Sequence, residues 1–157
     1  MYIEKISILN FKNIAEATLE FSSRVNCFLG RNGMGKSNLL EAIYFLSFVR
    51  SFGQIPDSAL IRHGQEMLLV QGVYHKNSDV VENLSCGIVP GKRKTLKRNG
   101  KEYEKLSEHI GQFPIVVVSP QDSRIVSGSG EERRKLMDMV ISQADKTYLS
   151  QLIRYNK

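Results

Sequence analysis

The sequence has little cysteine. Cys27 and Cys86 are the only two in 157 residues, too few for the disulfide framework of a small secreted domain or for a thiolate zinc site, and three scattered histidines supply no companion ligands. Both cysteines sit in strand-like contexts and are expected as buried, free thiols. Proline is scarce at four, and the 12 glycines follow no period, which excludes collagenous and low-complexity classes. No apolar stretch approaches the roughly 18 residues of a membrane-spanning helix; Leu39 to Val49 is interrupted and shorter. The N-terminus, MYIEKISILNFKN, alternates apolar and polar residues instead of presenting the basic start and apolar block of a secretory signal. The expectation is a cytoplasmic protein with no membrane partner.

What remains is an ordinary globular composition, 41% hydrophobic and 24% charged, at a length of about one domain. A formal charge of +6 points to an anionic partner without choosing between nucleotide, nucleic acid and acidic lipid.

The opening residues read as an antiparallel hairpin: Ile3, Ile6, Ile8 and Phe11 alternate with polar neighbours, Lys12-Asn13 turn, and Ala17, Leu19 and Phe21 alternate again. Val25 to Leu29 forms an apolar run of strand length, followed by a glycine loop and an apolar helix from about Lys36 to Val49. Met67 to His75 and Val80 to Val89 are predicted strands around the polar turn 76–79. A second hairpin is expected at 91–104, because Asn99-Gly100 accepts the positive φ angles of a two-residue turn. Ile115 to Val118 is a short β-branched strand ending at Ser119-Pro120. Ser129 and Glu132 suggest a capping box for a helix bearing Leu136, Val140 and Ala144, and Asp145 suggests the next N-cap. The helical stripe behind Asp145 is still running at Lys157, as if the chain were cut there. The fold class is α/β with much antiparallel strand.

The segment Gly30 to Ser37, GRNGMGKS, fits G-x-x-x-x-G-K-[ST] and lies between an apolar strand and a helix, the context that this phosphate-binding motif requires. Glycines at 30, 33 and 35 let backbone N–H groups turn toward an anion, and the next helix adds its unsatisfied amides and positive dipole end. Lys36 is the cation for the β and γ phosphates, Ser37 the hydroxyl for Mg²⁺, and Asn32 a side chain able to orient the loop. Hydrolysis needs a further carboxylate at the end of an apolar strand. Ile115 to Val118 is the best such strand, yet Ser119-Pro120 follow it and Asp122 arrives late. These residues alone are therefore expected to bind ATP with Mg²⁺ without appreciable turnover.

Four segments together resemble the bacterial RecF family: NFKN (10–13), GRNGMGKSNLLEAIYFLS (30–47), LIRHG (60–64) and VVVSPQDSRIVSGSGEERRKLMD (116–138). The resemblance covers essentially the whole chain. It implies a P-loop NTPase of the ABC type, related to SMC heads, that acts in recombinational gap repair, replication-fork recovery and SOS induction. It further implies that the chain is the N-terminal part of a protein over twice as long. The later part of such a protein carries the acidic strand, the signature motif and a coiled-coil-like arm. Two ATP molecules are then sandwiched in a homodimer on DNA, with RecR and RecO as partners. Carried over by position, Gly30, Arg31, Asn32, Gly33, Met34, Gly35, Lys36 and Ser37 would bind phosphates and Asn38 would adjoin the α-phosphate end. Lys12 and Asn13 would touch the nucleotide, an ordinary exposed turn being the other reading. Gln121 and Asp122 would match the glutamine loop, with Gln121 joining Ser37 at the metal; simple turn chemistry after Pro120 is the alternative. The pattern departs at Gly53-Gln54, where the family carries an arginine after the Ser-aromatic pair.

Lys92, Arg93, Lys94, Lys97 and Arg98 concentrate positive charge on the second hairpin with no acidic residue between them. They are candidates for phosphate contacts with DNA, or for a solvated edge that discourages strand pairing. Arg133 and Arg134 are similar candidates, with Glu131 and Asp138 as local ion-pair partners. Two other functions compete: a small P-loop kinase acting on a metabolite, and a module whose loop only grips DNA phosphate. An SMC-like head of another DNA-maintenance protein is a further alternative.

Overall fold

The computed structural model describes residues 1–53, 55–77 and 80–156, without the side chains of 77, 121 and 124. The expected departure at Gln54 and turn residues 78 and 79 therefore lie outside the described residues. The chain divides into two compact units, Met1–Leu106 and Ser107–Lys157.

In the first unit, period-2 alternation builds one sheet. Strands β1 (Tyr2–Phe11), β2 (Ile14–Glu20), β3 (Leu68–Asn77), β4 (Val80–Ile88), β5 (Thr95–Arg98) and β6 (Lys101–Glu102) lie in the order β2-β1-β3-β4-β5-β6, every pairing antiparallel. The register places Ile6 opposite Gly72 and Gly72 opposite Leu84, then Ile8 opposite Val70, Val70 opposite Cys86 and Cys86 opposite Leu96. Because neighbours across a ladder share a face, these residues form one apolar surface, and all are buried. The opposite face reads Thr18, Ser7, Gln71, Ser85, Lys97 across the same ladder.

Helix α1 (Lys36–Phe48) covers the apolar face and buries Leu39, Ala42, Phe45 and Leu46. Each large aliphatic or aromatic side chain so buried contributes on the order of 1.5–3 kcal/mol. The approach is close at Gly72, where a Cβ would stand 2.8 Å from both Leu46 Cδ1 and Tyr74 Cε2. The helix ends at Val49, which adopts φ 54 and donates its N–H to the Phe45 carbonyl. A β-branched residue in that conformation is uncommon. Its surroundings account for it: Val49 is buried, and its carbonyl accepts from Lys94 Nζ. At the far hairpin Asn99 and Gly100 both have positive φ, 51 and 81, the two-residue turn expected from that dipeptide.

Val25 to Leu29, expected as a strand, forms none and pairs in a ladder with no described residue. Val25 and Leu29 are 78% and 93% exposed, and Cys27 is exposed with them, so only Cys86 is the buried thiol expected of both. An apolar run becomes a strand when a neighbour supplies backbone partners, and none is present beside this one among the described residues. Burial pushes the Cys86 thiol up to about 12, which keeps it protonated and inert.

The second unit is helical: α2 (Ser123–Ser127), α3 (Gly130–Ala144) and α4 (Lys146–Tyr155). Ile115 to Val118, the other expected strand, is likewise unpaired as a ladder. Its first residue borrows a side chain instead: the Gln143 amide oxygen accepts from the Ile115 N–H at 2.9 Å, and its nitrogen donates to the Ile115 carbonyl at 3.2 Å. Ser129 stands at the N-cap of α3 but makes no side-chain cap bond, so the expected capping box is not formed. Asp145 does cap α4, its carboxylate accepting from the N–H groups of Thr147 and Tyr148 at 2.7 and 3.1 Å.

Gly111 has φ 81, and a Cβ there would lie 2.1 Å from the Gln143 carbonyl oxygen. Gly111→Ala combines left-handed strain with a backbone clash. The variant is expected to lose more than about 2 kcal/mol in the unfolding of this unit, measured by urea denaturation followed through helical circular dichroism.

Candidate nucleotide-binding site

The phosphate loop connects the segment Val25 to Leu29 to α1, and its local conformation follows from its glycines. Gly33 and Gly35 have φ 82 and 92, values that favour glycine. Helix α1 begins with no side-chain cap on its N-terminus and no acidic residue in its first turn. Its first intrahelical bond runs from Leu39 N–H to the Gly35 carbonyl at 2.8 Å. The amides of Lys36, Ser37 and Asn38 precede it and have no intrahelical acceptor. Asn32, Gly33, Gly35, Lys36, Ser37 and Asn38 line a pocket of about 410 Å³.

Lys36 lies across the loop. Its ammonium donates to the carbonyls of Gly30 and Arg31, each at 2.8 Å. A cation so placed, with uncapped amides and the positive end of the helix dipole beside it, makes the pocket attractive to an anion of phosphate size. Ser37 presents a hydroxyl, the kind of hard oxygen that would hold a Mg²⁺ ion accompanying a nucleotide. Among the described residues no three His, Cys, Asp or Glu side chains come together as a metal site.

The β1–β2 turn reaches this loop. Lys12 is paired with the Glu41 carboxylate on α1, whose other oxygen accepts from the Ser51 hydroxyl at 2.8 Å. Asn13 donates from Nδ2 to the Gly33 carbonyl at 2.8 Å and accepts at Oδ1 from Asn38 Nδ2 at 2.7 Å. The two turn residues expected to touch a nucleotide thus engage protein groups around the loop. Glu41 and Ser51 carry no signal in the sequence, because their partner lies on a different hairpin. Gln121 and Asp122 belong to the second unit. The Asp122 carboxylate accepts from the Ser119 N–H, the ordinary chemistry of a turn, and the Gln121 side chain lies outside the described residues.

The basic hairpin is partly consumed by the fold. Arg98 forms a bidentate pair with Glu82, its Nε donating at 2.7 Å, and Asn99 Nδ2 donates to the same carboxylate at 2.9 Å. Lys94 binds Asp57 at 2.8 Å as well as the Val49 carbonyl. Arg93 donates to the Glu104 carbonyl at 2.6 Å. Lys92 and Lys97 remain exposed. In the second unit, Glu131 pairs with Lys135 rather than with the neighbouring arginines, Asp138 accepts from the Tyr148 hydroxyl, and Arg133 donates to the carbonyls of Ile125 and Gly128.

A family model described as an AAA ATPase domain matches residues 1–143. The chain belongs to the AAA ATPase domain family. This AAA ATPase domain matches the N-terminal part of RecF proteins over its whole length. It is 54% identical to the DNA replication and repair protein RecF of Porphyromonas gingivalis, covering 100% of this chain and 43% of that protein. It is 52% identical to the RecF protein of Bacteroides fragilis, covering 42% of it. The chain thus spans less than half the length of these relatives. A solved structure of the recombination mediator protein RecF-ATP in the RecFOR pathway superposes with a TM-score of 0.92 at 36% identity, over 99% of this chain and 42% of that one. The SMC head domain from Thermotoga maritima shares the fold, with a TM-score of 0.64 at 23% identity over 82% of this chain and 52% of that one.

The Arg98 guanidinium beside Glu82 holds that buried carboxyl below its ordinary value of 4.5. A lowered folded pKa contributes stability that is fully present above the unfolded value and is lost as pH falls through the folded one. Unfolding midpoints are therefore expected to fall with acidification below about pH 4.5, and Glu82→Gln is expected to be less stable at neutral pH and to show a shallower acid limb over that range.

Proposed function

We propose that this chain is the ATP-binding lobe of a RecF-like DNA repair ATPase, acting in the cytoplasm in recombinational gap repair and the SOS response. The observation that carries the reading is the phosphate loop: left-handed glycines at 33 and 35, uncapped first-turn amides, and Lys36 bridging two loop carbonyls at 2.8 Å. The likeness to RecF over the entire chain, and to a structure described as RecF-ATP, supports it.

In this reading the loop residues from Gly30 to Ser37 surround the β and γ phosphates of ATP. Lys36 exchanges its carbonyl partners for phosphate oxygens, keeping its charge compensated in both states. Ser37 supplies a hydroxyl to Mg²⁺, which neutralises charge on the same phosphates when bound. Asn38, within the first turn of the helix, closes the pocket toward the α-phosphate. Gln121 and Asp122 are the proposed counterparts of the family's glutamine loop. Complete hydrolysis draws on the rest of the protein and on a second copy bound under ATP control, with DNA and the RecR and RecO proteins of the RecFOR pathway as partners. Lys92 and Lys97, basic-hairpin residues not engaged in the contacts above, are the proposed contacts to DNA phosphate, with Arg93 beside them.

A titration of the chain with a fluorescent ATP analogue and Mg²⁺ is expected to saturate, and Lys36→Ala to abolish binding without changing the circular dichroism spectrum. No saturation in a folded wild-type sample overturns the reading, and turnover by the wild-type chain that disappears in Lys36→Ala overturns the assignment of hydrolysis to the larger assembly. For DNA, replacing Lys92 and Lys97 by Gln is expected to weaken binding to a short duplex. The slope of log K against log salt is expected to flatten by roughly 0.9 for each DNA phosphate that is no longer neutralised. An unchanged slope moves the DNA contact elsewhere.

A further inference from the structure

We propose that Asn13 is a positioning residue that sets the phosphate loop in its anion-binding conformation by holding the Gly33–Met34 peptide; the inference rests on the nucleotide reading of the same loop. The sequence makes Asn13 a candidate for direct contact with nucleotide, but both ends of its amide are taken. A carbonyl can only accept, so the bond to the Gly33 oxygen assigns Nδ2 to that side and leaves Oδ1 to accept from the Asn38 amide.

The consequence follows from peptide geometry. In a trans peptide the C=O of one residue and the N–H of the next point in opposite directions. There is no cis bond among the described residues. Holding the Gly33 oxygen toward Asn13 therefore turns the Met34 N–H away from the hairpin. Gly33 sits at φ 82, and glycine imposes little preference of its own, so this peptide would flip readily without an external partner. The side faced by the Met34 N–H is assigned to phosphate, and a flipped peptide would present a carbonyl oxygen there instead.

The turn is itself held at independent points. Lys12 is tied to Glu41 on α1, and Glu41 to Ser51. Gly35 packs against the same side chain, since a Cβ there would lie 3.0 Å from Asn13 Oδ1 and 3.4 Å from Ile14 Cγ1. Asn13 thus acts from a fixed platform, at the end of strands whose register the sheet determines.

The test measures the affinity of the chain for tripolyphosphate and for ATP, each with Mg²⁺, in the wild type, Asn13→Ala and Asn13→Asp. Asn13→Asp preserves the side chain's shape while removing the donor, which keeps the comparison available if the alanine variant is poorly folded. Both variants are expected to bind both ligands at least tenfold more weakly, with strand circular dichroism retained. In the ¹⁵N-labelled wild type, tripolyphosphate is expected to move the Met34 amide proton downfield, and the shift should vanish in the variants. Affinities within twofold of wild type in a folded variant overturn the proposal, as does a loss confined to ATP, which would place Asn13 on the base or ribose. An unmoved Met34 amide in a wild-type chain that binds overturns it without any variant. Failure of the wild type to bind either ligand overturns the nucleotide reading itself, and the inference with it.

Discussion

Helix α1 crosses the sheet where Gly72 leaves room for Leu46 and Tyr74, and that close approach governs what the loop before the helix can do. A helix N-terminus is useful for binding only if it stays put. Here the opposite flank of the helix, with Leu39, Phe45 and Leu46 buried, is sunk into a surface built from β1, β3, β4 and β5. The register that lines up Ile6, Gly72 and Leu84 is thus also the register that positions the glycine loop. The β1–β2 turn reaches the loop for the same reason, since β1 is both a central strand of that surface and the lead into the turn.

What is legible in the sequence is what depends on near neighbours. Period-2 alternation locates the hairpins, Asn99-Gly100 locates a turn, and the glycine pattern with Lys36 and Ser37 marks the loop that carries the candidate site, because each is decided within a few residues. The failures are of one kind. Val25 to Leu29 and Ile115 to Val118 have strand composition, yet a strand is a relation between two segments, and composition does not reveal whether the second is there. The same limit hides Glu41 and Ser51, whose meaning comes from a lysine on another element. Ser129 has the right spacing to Glu132 for a cap and still makes no cap bond, so spacing permits that motif without enforcing it.

Charge shows the difference between possessing a residue and having it available. Six basic side chains in one hairpin read as a surface for an anion, but Arg98 and Lys94 are committed to Glu82 and Asp57. Those pairs are partly buried, where removing one partner strands the other, so they serve the fold before any ligand. Lys94 does more than balance charge: it also donates to the carbonyl of Val49, the strained residue that ends α1. The hairpin is therefore fastened to the far end of the helix whose beginning carries the glycine loop.

The apolar segment before the loop has a practical side. Val25 to Leu29 offers apolar side chains and backbone donors and acceptors that no described neighbour satisfies in a ladder. Such a segment invites β-addition from whatever extended chain meets it, another copy included. In concentrated solution these residues would associate through contacts that owe nothing to nucleotide, and Cys27, exposed on that segment, could turn a transient encounter into a covalent dimer under oxidising conditions. Dimers seen at high concentration without reductant would report on this sticky stretch, and only those that appear with ATP in reducing buffer would bear on assembly.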